Sequence, residues 1–208
     1  MNALELSKRY DNNMIVRTIV NLIPHIGGAL DTVLSSKWKH YHSIRVEDFL
    51  NKLGTELSTL NDNVVNKQFL ESEEFYDLIY RIVSNAFSSR YPETRTGYAK
   101  VIRGAICQEE SVSTLEELVG QIADLREKDF LFLPRIKSFF EANKVVSGNT
   151  LAEELREEGY SPYELELHLY RFENLGLLDH PRNSLMGRCK TTFQKLPLFD
   201  KLISFLDI

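Results

Sequence analysis

Apolar residues recur at three- and four-residue spacing along most of the chain. Val46, Phe49, Leu50, Leu53, Leu57 and Leu60 make one stripe, which predicts a helix over 40–60. A second stripe runs through Phe75, Leu78, Ile79, Ile82, Val83, Ala86 and Phe87; Tyr91-Pro92 should end that helix, predicted over 72–89. Tyr98, Val101, Ile102, Ala105 and Ile106 predict a third over 94–107. Ser113 with Glu116 reads as a capping box, and Leu115, Leu118, Ile122 and Leu125 as the stripe that follows it. Helix after helix with short polar joints implies a helical bundle over residues 1–125.

Ahead of these, residues 14–23 and 29–34 are apolar and are parted by Pro24-His25-Ile26-Gly27-Gly28. The pattern predicts a helical hairpin whose glycines permit close backbone packing at the bend. An alternative is an amphipathic hairpin at a membrane surface. The uncharged interval 18–30 is too short to cross a bilayer, which takes roughly 20 apolar residues.

The pattern changes after residue 125. A helix is expected over 133–140 within 128–143, with Pro134 in its first turn, where a missing N–H costs little. Thr150 with Glu153 marks another helix start and Gly159 its stop. Ser161-Pro162-Tyr163-Glu164 then offers an N-cap, a proline at the first helical position and a glutamate at the third. Leu165, Leu169, Phe172 and Leu175 face inward, and Gly176 ends that helix. Two short strands are expected, 177–180 and 188–194, around a polar connection holding Pro181, Asn183 and Gly187. Helix, turn, helix and hairpin predict a winged helix-turn-helix over 126–208, closed by an apolar helix over 197–206. The fold class is thus mainly α, an N-terminal helical bundle followed by a winged helix with a small β-hairpin wing.

Composition changes this picture little. The chain has 208 residues, 43% hydrophobic and 26% charged, as expected of a globular protein. The net charge of −5 argues against a general nucleic-acid binder. Cys107 and Cys189 do not imply a disulfide framework, and with no signal peptide legible at the start a cytoplasmic location is expected.

Candidate chemistry is sparse. His40-Tyr41-His42 is the only histidine cluster, and residues two apart on a helix point to different sides, so one metal would not meet both. There is no His-Glu-x-x-His, Cys-x-x-Cys, Gly-x-Ser-x-Gly or phosphate-binding glycine loop. The paired glutamates at 109–110, 116–117, 153–154 and 157–158 sit at helix starts or on polar faces. Asp31 and Asp48 interrupt apolar runs, and Lys37 or Arg45 is the most economical ion-pair partner for either. Lys37, Lys39 and Arg45 form one basic patch, and Arg90, Arg95, Lys100 and Arg103 a second. No catalytic residue, metal or cofactor is expected, and the chain reads as not an enzyme.

Two further segments bring a family into view. Ile23-Pro24-His25-Ile26-Gly27-Gly28-Ala29-Leu30-Asp31, followed by Ile44-Arg45-Val46-Glu47-Asp48-Phe49-Leu50, resembles the start of a large group of uncharacterised bacterial cytosolic proteins. Arg95-Thr96-Gly97-Tyr98-Ala99-Lys100-Val101-Ile102 is similar to their middle motif. Gly187-Arg188 with Leu198-Phe199-Asp200-Lys201-Leu202 is similar to their closing winged-helix segment. The abortive-infection alpha family is a more distant likeness. The resemblance implies an accessory bacterial protein in phage defence and supplies no catalytic residues.

Three functions follow as expectations. The first is a non-enzymatic accessory or regulatory subunit that binds another protein or itself. The others are a winged-helix DNA-binding regulator and a membrane-associated effector. From residue 149 to 180 eight acids stand against Arg156 and Arg171, a net of −6, which would repel phosphates. Tyr163, Leu167 and Tyr170, with Arg171, are therefore expected to form a partner-binding face. Arg182, Arg188 and Lys190 on the wing are the candidate phosphate contacts, for weak nucleic-acid binding only.

Overall fold

In the computed structural model of the chain, residues 36–58, 60, 67–107, 110–142, 145–157, 159–179 and 192–206 are described. The expected hairpin over 14–34, with Gly27 and Gly28, lies outside them, as does the connection over 180–191. The described residues are mainly helical, with one small antiparallel sheet. The chain divides into two compact units, Met1–Asp124 and Leu125–Ile208.

The first unit contains α1 (Ser36–Ser58), α2 (Lys67–Leu70), α3 (Glu73–Ser88), α4 (Pro92–Cys107) and α5 (Val112–Asp124). α1 packs against α3 and α4, and α5 against the same two helices. The predicted stripes are the core: Phe49, Leu50, Leu53 and Leu57 meet Ile79, Ile82, Val101, Ile102, Leu118 and Ile122 in a region closed to water. α4 is the central helix. Gly97, Ala99, Gly104 and Ala105 are buried along with Tyr98, Val101 and Ile102, so burial extends around most of its circumference. Small residues let neighbouring helices approach its backbone closely, and a helix apolar on most sides belongs inside. Ser72 caps α3, accepting from the Phe75 N–H. The cap of α5 is Ser111, whose Oγ accepts from the Thr114 N–H at 3.3 Å, and not Ser113 as the sequence suggested. Ser111 stands directly before the first helical residue, and Ser113 is already inside the helix.

The second unit runs α6 (Glu127–Ala142), β1 (Val145–Ser147), α7 (Gly148–Glu157), α8 (Pro162–Asn174), β2 (Leu178–Asp179), β3 (Thr192–Lys195) and α9 (Pro197–Leu206). β3 is the middle strand. It pairs antiparallel with β1, Val146 opposite Phe193, and with β2, Asp179 opposite Gln194. Several expectations need correction. α6 starts six residues earlier than predicted, so Pro134 lies mid-helix and has no N–H to give the preceding turn. An interior proline destabilises a helix by about 3 kcal/mol; burial of Phe132, Leu133 and Ile136 around it offsets that. α7 begins at Gly148, ahead of the Thr150 expected to start it. β1 was not predicted, because three residues are too few for alternation to register. β2 begins at Leu178, one residue after the expected start, and β3 runs to Lys195, one residue past the expected end; residues 180 and 188–191 of the expected strands lie outside the described residues.

The breaks were well marked. Gly159 at φ 92° and Gly176 at φ 68° take the left-handed conformation that glycine adopts without strain, each just past a helix. α9 has the predicted bounds and packs on α6, Phe199 meeting Phe140 edge to face at 5.8 Å.

Candidate functional site

α8 carries the candidate surface, and its placement begins with its first turn. Ser161 and Glu164 form the reciprocal capping box that the sequence suggested, each side chain accepting from the other's backbone N–H. Glu164 does this with Oε2, while its Oε1 accepts from Lys128 Nζ of α6 at 2.6 Å. The Lys128 ammonium and the Ser161 donors hold the Glu164 carboxyl down to about 2, and the same hydrogen bond raises the Lys128 ammonium above its ordinary value.

One residue further along α6 and one turn further along α8 lies a buried polar cluster. Asp129 is 0% exposed. Its Oδ1 lies 2.7 Å from His168 Nδ1, and its Oδ2 accepts from the Arg126 backbone N–H at 2.7 Å. Arg171 Nε completes the set at 3.2 Å from Oδ2. A carboxylate taken out of water needs such donors, and three converge here. The Phe132 ring stacks on His168, centroids 4.1 Å apart, and Tyr160 leans on the other rings' neighbour, Phe132, at 4.7 Å. Lys128 to Glu164 and Phe132 to His168 are contacts at the same sequence offset, so the facing stretches of α6 and α8 advance together, in parallel.

An imidazole oriented by a carboxylate is also one half of a nucleophilic relay. Among the described residues, however, His168 has no hydrogen bond to a hydroxyl or thiol, and no group of histidine, cysteine and carboxylate side chains could hold a metal. What the arrangement does is fix the rotation of α8 about its axis. Leu165, Leu169 and Phe172 go into the core, while Tyr163 and Leu167, one turn apart, stay 74% and 54% exposed.

The expected partner-binding residues therefore separate. Tyr163 and Leu167 share the outward face, with Glu166 exposed beside them. Tyr170 is half-buried. Arg171, expected to point outward, turns to Asp129 because a buried carboxylate attracts the nearest cation. Arg182, Arg188 and Lys190 lie outside the described residues. Sequence reading missed Asp129 and His168 as a pair. A signal existed for His168, which sits between Leu165 and Phe172 on the inward stripe.

The basic patches of the first unit also rearrange. Arg95 is 5% exposed; its Nε donates to Asp48 and its Nη1 to the Ser89 carbonyl at 2.8 Å. Asp48 thus pairs with Arg95, and with Lys52 at 3.6 Å, and not with Arg45, one of its two expected partners. Arg45 instead donates to the Ser88 carbonyl at the end of α3, and the side chains of Lys37 and Lys39 are outside the described set. Arg103 is 3.8 Å from Glu56, and Arg90 lies over the Tyr91 ring. Three of the four cations of that patch, Arg90, Arg95 and Arg103, are thus engaged by local groups.

Comparison of the chain with protein-family models, with curated proteins and with solved structures gives no match. No described helix is long and apolar enough to cross a membrane.

Proposed function

We propose that the second unit is a winged helix-turn-helix that docks protein through the outward face of α8, and that the chain is a non-enzymatic accessory or regulatory subunit. Its setting would be bacterial phage defence, as the family resemblance implies. The order helix, strand, helix, helix, strand, strand, with the last strand in the middle, supports the winged-helix reading. One observation carries the protein-binding reading. Tyr163 and Leu167 stand exposed on the helix that would enter a DNA groove, while Arg171, its one arginine, is held by Asp129. A DNA-reading helix offers Arg, Lys, Asn or Gln to base edges; an exposed tyrosine and leucine flanked by Glu166 offer a protein partner apolar area and negative charge.

The test is affinity capture from the native host with the full chain and with a Tyr163→Ala, Leu167→Ala variant. The wild type should retain a defined partner, or a second copy of itself, that the variant loses at unchanged melting temperature. Sequence-specific binding of a DNA duplex, with its preference relaxed by substitution at Tyr163, would replace this reading with that of a regulator.

A further inference from the structure

α3 is amphipathic in an uncommon way. Its inward side is Phe75, Leu78, Ile79, Ile82, Val83 and Ala86, all buried. Its outward side interleaves two carboxylates and two aromatic rings, Glu73, Tyr76, Asp77 and Tyr80. The rings are near parallel, 24° between planes and 6.5 Å between centroids, and each tyrosine is 46% exposed. Each tyrosine follows a carboxylate by three residues, which puts the carboxylate beside it on the helix surface. Glu73 and Asp77 are exposed and have no ion-pair partner among the described residues. The one cation of α3, Arg81, sends its guanidinium toward α5, where Gly120 leaves room: Nη2 is 3.6 Å from the position a Cβ would occupy there.

We propose that this face is a second docking surface, independent of α8, and that it takes an arginine side chain presented by a protein partner. A guanidinium is planar and cationic. It stacks on a tyrosine ring by cation–π attraction and donates two parallel hydrogen bonds to a carboxylate. The outward side of α3 supplies both kinds of group twice over, one helical turn apart. Phosphate-bearing ligands are repelled by Glu73 and Asp77. A lysine finds the same charge but lacks the flat surface to stack, which makes arginine the better fit.

The full chain, isotope-labelled, is titrated by NMR with a short glycine-spaced peptide carrying two arginines, and with lysine and glutamate counterparts. The arginine peptide should shift the α3 amides in a saturable way and bind several-fold more tightly than the lysine peptide. Tyr76→Leu with Tyr80→Leu keeps apolar area but removes the rings, and should weaken arginine binding about tenfold. Glu73→Gln with Asp77→Asn should weaken it several-fold and remove its salt dependence. Tyr163→Ala should leave it unchanged, which separates this surface from that of α8. The proposal is overturned by equal binding of the arginine and lysine peptides, by tyrosine variants that bind as wild type does, or by no saturable shift in α3.

Discussion

Arg95 in the first unit and Asp129 in the second are both buried charges, and their surroundings differ. Arg95 is a cation whose partner carboxylate, Asp48, is 34% exposed in its side chain and keeps contact with water. A backbone carbonyl, that of Ser89, supplies its second bond. Asp129 is an anion with no exposure at all, and its compensation comes from His168, Arg171 and the Arg126 N–H. The first arrangement pins the central helix of a bundle to α1 and has water at its edge. The second fixes one helix against another with protein groups alone. Water in reach makes a charge pair forgiving, and its absence makes every member of the cluster matter.

The largest expected effect is therefore at Asp129. Asp129→Ala should destabilise the second unit by about 3–5 kcal/mol, the range for breaking a buried ion pair, as read from urea denaturation. Asp48→Ala should cost less, about 1–3 kcal/mol, because Arg95 retains the Ser89 carbonyl. Equal losses in the two variants would break the comparison.

A third measurement sharpens it with an uncharged group. Tyr98 is buried in the first unit, its hydroxyl 3.4 Å from the Val119 carbonyl, and burial raises its phenol well above the usual 10.0. A raised folded-state value stabilises fully below the unfolded one and is lost as pH rises beyond it. Stability should thus begin to fall near pH 10, and Tyr98→Phe should flatten that decline. Ultraviolet titration should show one tyrosine ionising only as the protein unfolds.

The smallest effect belongs to the exposed Lys128–Glu164 pair. The depressed Glu164 value means that its contribution is present above the ordinary glutamate range, near 4.5, and is lost as pH falls toward about 2. Lys128→Ala should raise the Glu164 midpoint in an NMR titration. High salt should raise it too, because the pair is open to water.

Much of this was legible in the sequence. α1, α3 and α5 announced themselves because each buries one stripe, and a stripe at three- and four-residue spacing has no other good explanation; the stripe of α4 was as plain, but the burial of its small residues on the other sides was not. Ser161, Pro162 and Glu164 fixed the start of α8 because capping is local chemistry. Arg171 and Asp48 were misassigned for the opposite reason: their partners are set by which helices pack together, and nearness in sequence says nothing about that. Arg95 looked like part of a surface patch because a buried arginine and an exposed one are written with the same letter. β1 escaped because its order comes from pairing with β3, far along the chain, and not from its own three residues. The outward face of α8 was half legible, Tyr163 and Leu167 standing where the helical period put them.

The middle position of β3 also bears on how the protein is made. β1 and β2 pair with β3 and not with each other. A ribosome adding roughly 5–20 residues each second finishes β1 on the order of seconds before β3 exists to receive it. The core helices of the first unit have all been synthesised by then. The first unit can settle while the second still displays open strand edges, the kind of surface on which nascent chains stick to one another. Residues 148–191 separate β1 from its partner, and for as long as they take to appear the second unit is the part of the molecule that chaperones would need to shield.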